Sequence, residues 1–123
     1  MTICIDFDGV LHSYVKFKGV DVFDDALPEA ANAVKYLRSR GHTLILHTTR
    51  PITDKLRKWL EDHGMVFDYF NENPHTATGQ TDPRKPLADM YIDDRAIRFR
   101  GNWRETVSEV EAFTPWYKKG ATA

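Results

Sequence analysis

Short apolar runs alternate along the chain with segments in which apolar residues recur every three or four positions. A short apolar run rich in β-branched residues is typical of a buried strand, whereas recurrence every three or four positions is typical of one face of a helix. Glycine and proline mark where several of these segments begin or end. The pattern predicts strands at 2–5, 42–48, 66–70, 88–92 and 97–99, and helices at about 28–41, 51–64 and 104–113.

The order of these elements indicates the fold class. Strands that alternate with helices are typical of a parallel sheet with right-handed crossovers. The nearly continuous apolar run at 42–48 is typical of a strand that is covered on both faces. We therefore expect an α/β protein, a single domain over residues 1–123, with a doubly wound, Rossmann-like sheet in three α/β/α layers.

Three segments lie outside this alternation. Two alternating runs around a glycine-containing pair predict a small β-hairpin at about 12–23, which would form a flap. Residues 71–86 are rich in Asn, Thr, Gly and Pro, so they are expected to form a long surface loop, and long loops in compact domains are often functional. Residues 115–123 are expected to be a frayed tail.

Composition and charge narrow the class of protein. With 123 residues and a formal net charge of −1, bulk electrostatics give no argument for binding to nucleic acid or to an anionic membrane. The single cysteine, Cys4, cannot form an internal disulfide, which fits a reducing compartment. No apolar run approaches the length of a membrane span, and a strand beginning at residue 2 leaves no room for a signal peptide. We expect a cytoplasmic domain.

Polar residues follow three of the predicted strands. Asp6 and Asp8 follow the first strand, Thr48 ends the second, and Asp93 and Asp94 follow the fourth. The carboxyl ends of parallel strands lie at one edge of the sheet, where open α/β sheets bind their ligands. The sequence therefore predicts an acidic site at this edge.

Crowded carboxylates need a counter-charge. Two unit charges about 5 Å apart repel by about 3 kcal/mol at an effective dielectric of about 20. A cation or a shifted protonation state must compensate this repulsion. Oxygen ligands favour a hard ion, and Mg²⁺ suits a site of a few carboxylates, retained waters and a phosphate. The cofactor that we expect is Mg²⁺.

Asp6 and Asp8 have the chemistry for phosphoryl transfer. An aspartate can attack phosphorus and form an aspartyl-phosphate. A second carboxylate two residues later can protonate the leaving group and then activate water. Residues i and i+2 of a strand face the same way, so a straight strand would direct both side chains to one pocket. Gly9 lets the backbone turn closely there.

The second strand supplies candidates for holding a phosphate. Thr48 and the free amides that begin the helix after Arg50 could bind phosphoryl oxygens, and Thr49 is a further candidate for substrate binding. Arg50 lies at the same edge and could make a bidentate contact with phosphate.

Three motifs resemble those of the haloacid dehalogenase-like (HAD) phosphatase superfamily. Asp6-Phe7-Asp8-Gly9-Val10-Leu11 resembles the first motif, Leu44-Ile45-Leu46-His47-Thr48 the second, and Tyr91-Ile92-Asp93-Asp94 the fourth. Their order and spacing follow the Rossmann-like core of that superfamily over most of the chain. The resemblance therefore implies a HAD-like core.

The resemblance also implies roles for these residues. It makes Asp6 the nucleophile, Asp8 the acid/base and Thr48 the residue that holds phosphate. It places Mg²⁺ on the Asp6 side chain, the Asp8 backbone carbonyl and an acid of the fourth motif. Adjacent strand residues face opposite ways, so we expect Asp94 to bind the metal directly and Asp93 to lie behind it.

The third motif of the superfamily is a lysine or arginine, and here the match is weaker. By order along the chain, Lys85 is the candidate. If residues 87–92 are extended at about 3.3 Å each, Lys85 lies about 20 Å of backbone from Asp93. Arg50 is closer to the predicted edge, so both residues stay candidates for this role.

The chain has no room for the cap domains that usually determine specificity in this superfamily, so it resembles a capless member. The leading hypothesis is a Mg²⁺-dependent phosphomonoester hydrolase that acts on a phosphorylated small molecule or macromolecule, with homo-oligomers left open. One alternative is a nucleic-acid end phosphatase of the polynucleotide kinase–phosphatase type, against which the lack of net positive charge counts. Another is a non-catalytic phosphate-binding module.

Overall fold

The computed structural model describes residues 1–76 and 85–113 of the chain, and the bounds and contacts below refer to this part. Within it, strands and helices follow one another in the expected order. They are β1 (Thr2–Ile5), α1 (Ala30–Ser39), β2 (Thr43–Leu46), α2 (Asp54–Asp62), β3 (Tyr69–Phe70), β4 (Met90–Ile92) and α3 (Trp103–Ala112).

The four strands form one parallel sheet in the order β3-β2-β1-β4. Ile5 of β1 is level with Leu46 of β2 and with Ile92 of β4. The three strands therefore end at the same height, and the residues that follow them meet at one edge. The predicted α/β class with a parallel sheet is confirmed.

The hydrophobic core lies on the two central strands. Residues 3–5 and 44–46 are buried, and side chains of α1 and α2 belong to one hydrophobic cluster with Ile3, Ile5, Leu44 and Leu46. The turn after β1 adds Phe7 and Leu11 to this core, which fixes the chain immediately beyond the strand end. Deep burial of β1 therefore positions the residues that follow it.

The outer elements are much more exposed. All three residues of β4 are exposed, and α3 contributes no buried side chain. None of the helices in the described ranges is both long and apolar enough to cross a membrane.

Helix α2 begins later than the sequence predicts. Thr53 has an extended backbone, and its hydroxyl accepts a hydrogen bond from the Leu56 amide at 3.1 Å. This side-chain cap replaces a missing backbone partner and sets the first helical residue at Asp54. The helix amides therefore do not follow directly on Arg50, and that part of the predicted phosphate cradle is wrong.

The predicted hairpin at 12–23 is also wrong, because these residues form a loop with no strand ladder. The Arg50 guanidinium accounts for part of this difference. Its Nη1 donates to the carbonyl oxygens of Gly19 at 3.0 Å and Val20 at 2.8 Å, so these acceptors bind a side chain rather than an opposing strand. Residues 97–99 form no strand either. The predicted tail at 115–123 and most of the predicted loop at 71–86 lie outside the described residues.

Candidate active site

The ends of the central strands converge as the sequence predicts. The Asp6 amide donates to the carbonyl of Ile92 at 2.9 Å, and the His47 amide donates to the carbonyl of Ile5 at 2.9 Å. These bonds continue the sheet by one residue beyond the strands. Asp6, His47 and Asp93 are thereby brought side by side.

A cavity of about 260 Å³ opens at this edge. Acidic, hydroxyl and cationic side chains surround it, which is typical of a site for a polar ligand. Its lining residues are Asp6, Asp8, Tyr14, His47, Thr48, Thr49, Asp93 and Arg95.

Three carboxylates gather beside the cavity. Asp6, Asp93 and Asp94 each offer an oxygen, and these oxygens lie within 4.8 Å of one another. Both carboxylate oxygens of Asp94 are buried and have no hydrogen-bond partner among residues 1–76 and 85–113. Buried polar atoms are nearly always paired, so this pair of oxygens requires an explanation. A proton shared with Asp6 would satisfy one oxygen, whereas a cation would satisfy the whole cluster.

The environment of Asp6 disfavours its charged form. Burial, together with the neighbouring Asp93 and Asp94, raises the pKa of Asp6 to about 7, although its Oδ1 accepts a hydrogen bond from the Phe7 amide at 2.8 Å. A bound cation would reverse this effect, because it favours the ionised carboxylate. The cluster is therefore most stable when it holds either a proton or a metal ion.

Asp8 is in the opposite situation, although it lies only two residues away. Its Oδ1 accepts from His12 Nε2 at 2.7 Å, and Arg50 Nε donates to both of its oxygens at 2.9 and 3.0 Å. Burial alone would raise the pKa of Asp8, but these two hydrogen bonds outweigh it and hold the pKa below its ordinary value. Asp8 lines the cavity as an ionised carboxylate and is not one of the three clustered acids.

Arg50 does not line the cavity, which differs from the predicted phosphate contact. Its side chain is buried, and the guanidinium lies between Asp8 and the backbone carbonyls of Gly19 and Val20. The rings of Phe7, Phe17 and Phe23 lie 5.1 to 5.8 Å from its central carbon. Its donors therefore hold Asp8 and the following loop.

Lys85 does not line the cavity either. It is exposed, and its Nζ lies 5.2 Å from the centre of the Tyr91 ring, in the range of a cation–π contact. The Tyr91 hydroxyl in turn donates to the Pro86 carbonyl at 2.6 Å. The structure thus places neither of the two predicted third-motif cations in the cavity.

The hydroxyl residues are where the sequence predicts them. Thr48 and Thr49 line the cavity, and Thr48 is buried. The Thr48 hydroxyl accepts from the Arg50 amide at 3.1 Å, which leaves its own hydrogen available to a ligand. Gly9 has a φ of 79°, so it supplies the turn that the sequence requires after Asp8.

Several residues at this edge were not singled out from the sequence. His12 lies four residues after Asp8 and contacts its carboxylate, and it belongs to the segment that was predicted to be a hairpin. Tyr14, His47 and Arg95 also line the cavity. The position of Arg95, directly after the second acidic pair, was the one signal that could have indicated it.

Comparison with known proteins supports the fold. The structure of a conserved protein from Bacteroides thetaiotaomicron matches with a TM-score of 0.65 and 27% sequence identity, over 93% of each chain. No family model matches the chain, and no curated protein matches it.

Proposed function

We propose that this protein is a Mg²⁺-dependent phosphomonoester hydrolase with a capless HAD-like core. The observation that carries the proposal is the cavity itself, which is lined by Asp6, Asp8 and Thr48, with Asp6 in a carboxylate cluster that a cation would neutralise. The motif resemblance assigns the same residues to phosphoryl transfer. The substrate class is a phosphate monoester on a small molecule or a macromolecule.

Asp6, Asp93 and Asp94 would hold the Mg²⁺, which differs from the expectation that Asp93 lies behind Asp94, because an oxygen of Asp93 lies in the same cluster. The two buried oxygens of Asp94, which have no partner within the described residues, support a site for a hard cation, because Mg²⁺ takes oxygen ligands such as carboxylates. When bound, Mg²⁺ would neutralise the carboxylate cluster and the charge of the phosphoryl group.

The reaction on the protein has two steps. In the first, an Asp6 oxygen attacks phosphorus and the bond from phosphorus to the ester oxygen breaks. Asp8 takes the proton of the bound phosphate monoanion and passes it to the leaving oxygen, so that Asp8 is again a carboxylate when the alcohol leaves. In the second, Asp8 removes a proton from water, the water oxygen attacks phosphorus, and inorganic phosphate leaves Asp6. The resting carboxylate of Asp8 is ready for this second step.

The remaining cavity residues would bind the phosphoryl group. Thr48 has a hydroxyl hydrogen to donate, and Thr49 lies beside it. Arg95 supplies the cationic side chain of the cavity, a role that the sequence had suggested for Lys85 or Arg50. An arginine suits this role because its planar donors match phosphate oxygens.

The test is hydrolysis of 4-nitrophenyl phosphate with and without Mg²⁺, in the wild type and in Asp6→Asn. We expect Mg²⁺-dependent turnover in the wild type and a loss of about 10³-fold or more in the variant. Asp89→Asn is the matched control, because Asp89 is exposed at the opposite end of β1, where it accepts from the Thr2 amide at 2.7 Å.

A phosphorylated intermediate separates covalent catalysis from direct attack by water. Acid quenching during turnover should leave one phosphoryl group on the peptide that contains Asp6. Full activity in Asp6→Asn would refute the mechanism. Phosphate binding without turnover over a broad substrate panel would favour a binding module instead, and a panel that includes a 3′-phosphorylated oligonucleotide and free nucleotides would define the substrate class.

A further inference from the structure

His12 is a polar side chain with only 1% of its surface exposed, and both of its ring nitrogens have hydrogen-bond partners. Its Nε2 lies 2.7 Å from Asp8 Oδ1, and its Nδ1 lies 3.2 Å from the backbone nitrogen of Asp24. A backbone N–H can only donate, so Nδ1 is the acceptor. The ring hydrogen is therefore on Nε2, and His12 donates it to Asp8 as a neutral imidazole.

The ring itself is held firmly. Phe7 lies against it with 4.5 Å between ring centres, and Phe23 and Trp59 approach it at 6.4 and 5.9 Å. The tautomer and the orientation of the N–H donor are thus both fixed by neighbouring groups.

Asp8 is held by a second buried donor, Arg50, which contacts both carboxylate oxygens. Asp8 lines the cavity, whereas His12 and Arg50 do not, so the two donors approach its carboxylate from within the protein. Together, His12 and Arg50 restrict the rotation of the Asp8 carboxylate, which is the group that would exchange protons with the substrate and with water.

We propose that His12 is a positioning residue, which orients Asp8 for proton transfer to the leaving oxygen of a phosphate ester. This inference rests on the proposed function. The carboxylate of Asp8 must face an oxygen on the far side of the phosphorus from Asp6, and proton transfer requires hydrogen-bond distance to that oxygen. A buried, fixed N–H donor maintains that orientation.

The role predicts a dependence on the leaving group. An alkoxide is a poor leaving group and needs a proton as its bond to phosphorus breaks, whereas 4-nitrophenolate leaves readily without one. Loss of the correct Asp8 orientation therefore slows hydrolysis of an alkyl phosphate more than hydrolysis of 4-nitrophenyl phosphate. A purely structural role for His12 would slow both equally.

The experiment compares kcat/KM for ethyl phosphate and 4-nitrophenyl phosphate with Mg²⁺ in the wild type, His12→Phe and His12→Gln. The value of kcat/KM reports only the steps up to release of the alcohol, and so leaves out the second step that both esters share. Phenylalanine keeps an aromatic ring in the cluster but has no donor, whereas glutamine restores an N–H. We expect His12→Phe to lose about 10²-fold with ethyl phosphate and less than about 10-fold with 4-nitrophenyl phosphate. His12→Gln should recover most of the difference.

Val34→Ala is the control for general loosening, because Val34 is buried in α1 and does not line the cavity. It should leave the ratio of the two rates unchanged. If His12→Phe does not fold, His12→Met replaces it, because methionine is flexible enough to fill the site, has no N–H to donate to Asp8 and should shift the ratio in the same direction.

An unchanged ratio in the folded variants, with an active wild type, would overturn the positioning role alone. A wild type that hydrolyses neither ester would overturn both this role and the proposed function.

Discussion

Asp6 and Asp8 show how strongly immediate neighbours determine the chemistry of one residue type. They are two residues apart and line the same cavity, yet the pKa of one is raised and that of the other is lowered. Asp6 is near other acids, whereas Asp8 is bonded to His12 and Arg50. Environments that move two carboxyl pKa values apart prepare them for different roles. In the proposed mechanism, the lowered pKa of Asp8 suits the base of the second step, whereas Asp6 would need a bound cation to be ionised for its attack on phosphorus.

Replacement of Arg50 by lysine should destabilise the protein. Arg50 is 5% exposed and holds Asp8 and two backbone carbonyls at once, which one ammonium group cannot do. Lysine keeps the charge but cannot replace all of these hydrogen bonds, and each lost hydrogen bond to a charged group costs about 1.5 to 3 kcal/mol. We expect Arg50→Lys to lower the free energy of unfolding by about 3 kcal/mol in urea titrations.

Arg38→Lys is the matched control, since Arg38 pairs with Asp68 at 3.2 Å on the exposed surface. It should change the free energy of unfolding by less than about 1 kcal/mol. Equal losses of unfolding free energy in the two variants would show that the hydrogen bonds of buried Arg50 contribute no more to stability than an exposed ion pair does.

Single residues were the least predictable part of the site. The acids and Thr48 follow from strand ends and sheet topology, because any parallel sheet brings those positions together. The positions of the cationic groups do not follow from sheet topology, since a long arginine or lysine side chain can turn toward several partners. Arg50 bonds to Asp8 and Lys85 lies against Tyr91, and both contacts depend on loop geometry that has no periodic signal.

At the level of elements, the sequence predicts the positions of buried strands better than the structure of loops. The buried strands β1 and β2 match their predicted positions closely, because apolar runs report burial directly. The loop at 12–23 has a hairpin-like alternation, but its backbone carbonyls are bound by Arg50. Alternation of apolar residues cannot reveal a distant side chain that competes for backbone acceptors.

Helix α3 should contribute little to stability through its apolar residues. Val107 is 51% exposed, whereas Val34 in α1 is 2% exposed. The same substitution, Val→Ser, therefore tests burial in two helices with a similar cost in helix propensity. We expect Val107→Ser to change the free energy of unfolding by less than about 0.5 kcal/mol, and Val34→Ser to lower it by about 2 kcal/mol or more.

Chemical unfolding monitored by circular dichroism at low protein concentration measures both changes. A loss at Val107 as large as that at Val34 would mean that the face of α3 is covered in solution. Dependence of that loss on protein concentration would then identify the cover as a second copy of the chain.

On the scale of the whole molecule, β1 lies between β2 and β4 and joins the parts of the site. The acids that follow β1 and β4 are far apart in sequence but adjacent in space. The reason is that Ile92, the last residue of β4, is level with Ile5, the last residue of β1. The sheet therefore imposes the repulsion among Asp6, Asp93 and Asp94 whenever the chain folds. Stability of the whole fold is consequently linked to whatever neutralises this cluster.

This linkage predicts how the thermal midpoint Tm depends on pH and on Mg²⁺. The pKa of Asp6 is about 7 in the folded protein and about 3.9 when unfolded. Between these values the folded state binds more protons, so the stability that Asp6 contributes is fully present below about pH 4 and is lost as the pH rises through 7. The pKa of Asp8 is lowered in the folded protein, so Asp8 changes the stability only at pH values below the range in which Asp6 does.

The metal-free wild type should therefore lose more of its Tm between about pH 5.5 and pH 8 than Asp6→Asn does. Mg²⁺ competes with the proton, so it should raise the Tm more at about pH 8, by the equivalent of about 2.7 kcal/mol at 100 times its Kd. Asp94→Asn should weaken this effect, because it removes one of the clustered carboxylates. Scanning calorimetry with EDTA or Mg²⁺ measures these shifts, and an equal Mg²⁺ effect in the wild type and Asp94→Asn would argue against metal binding by the cluster.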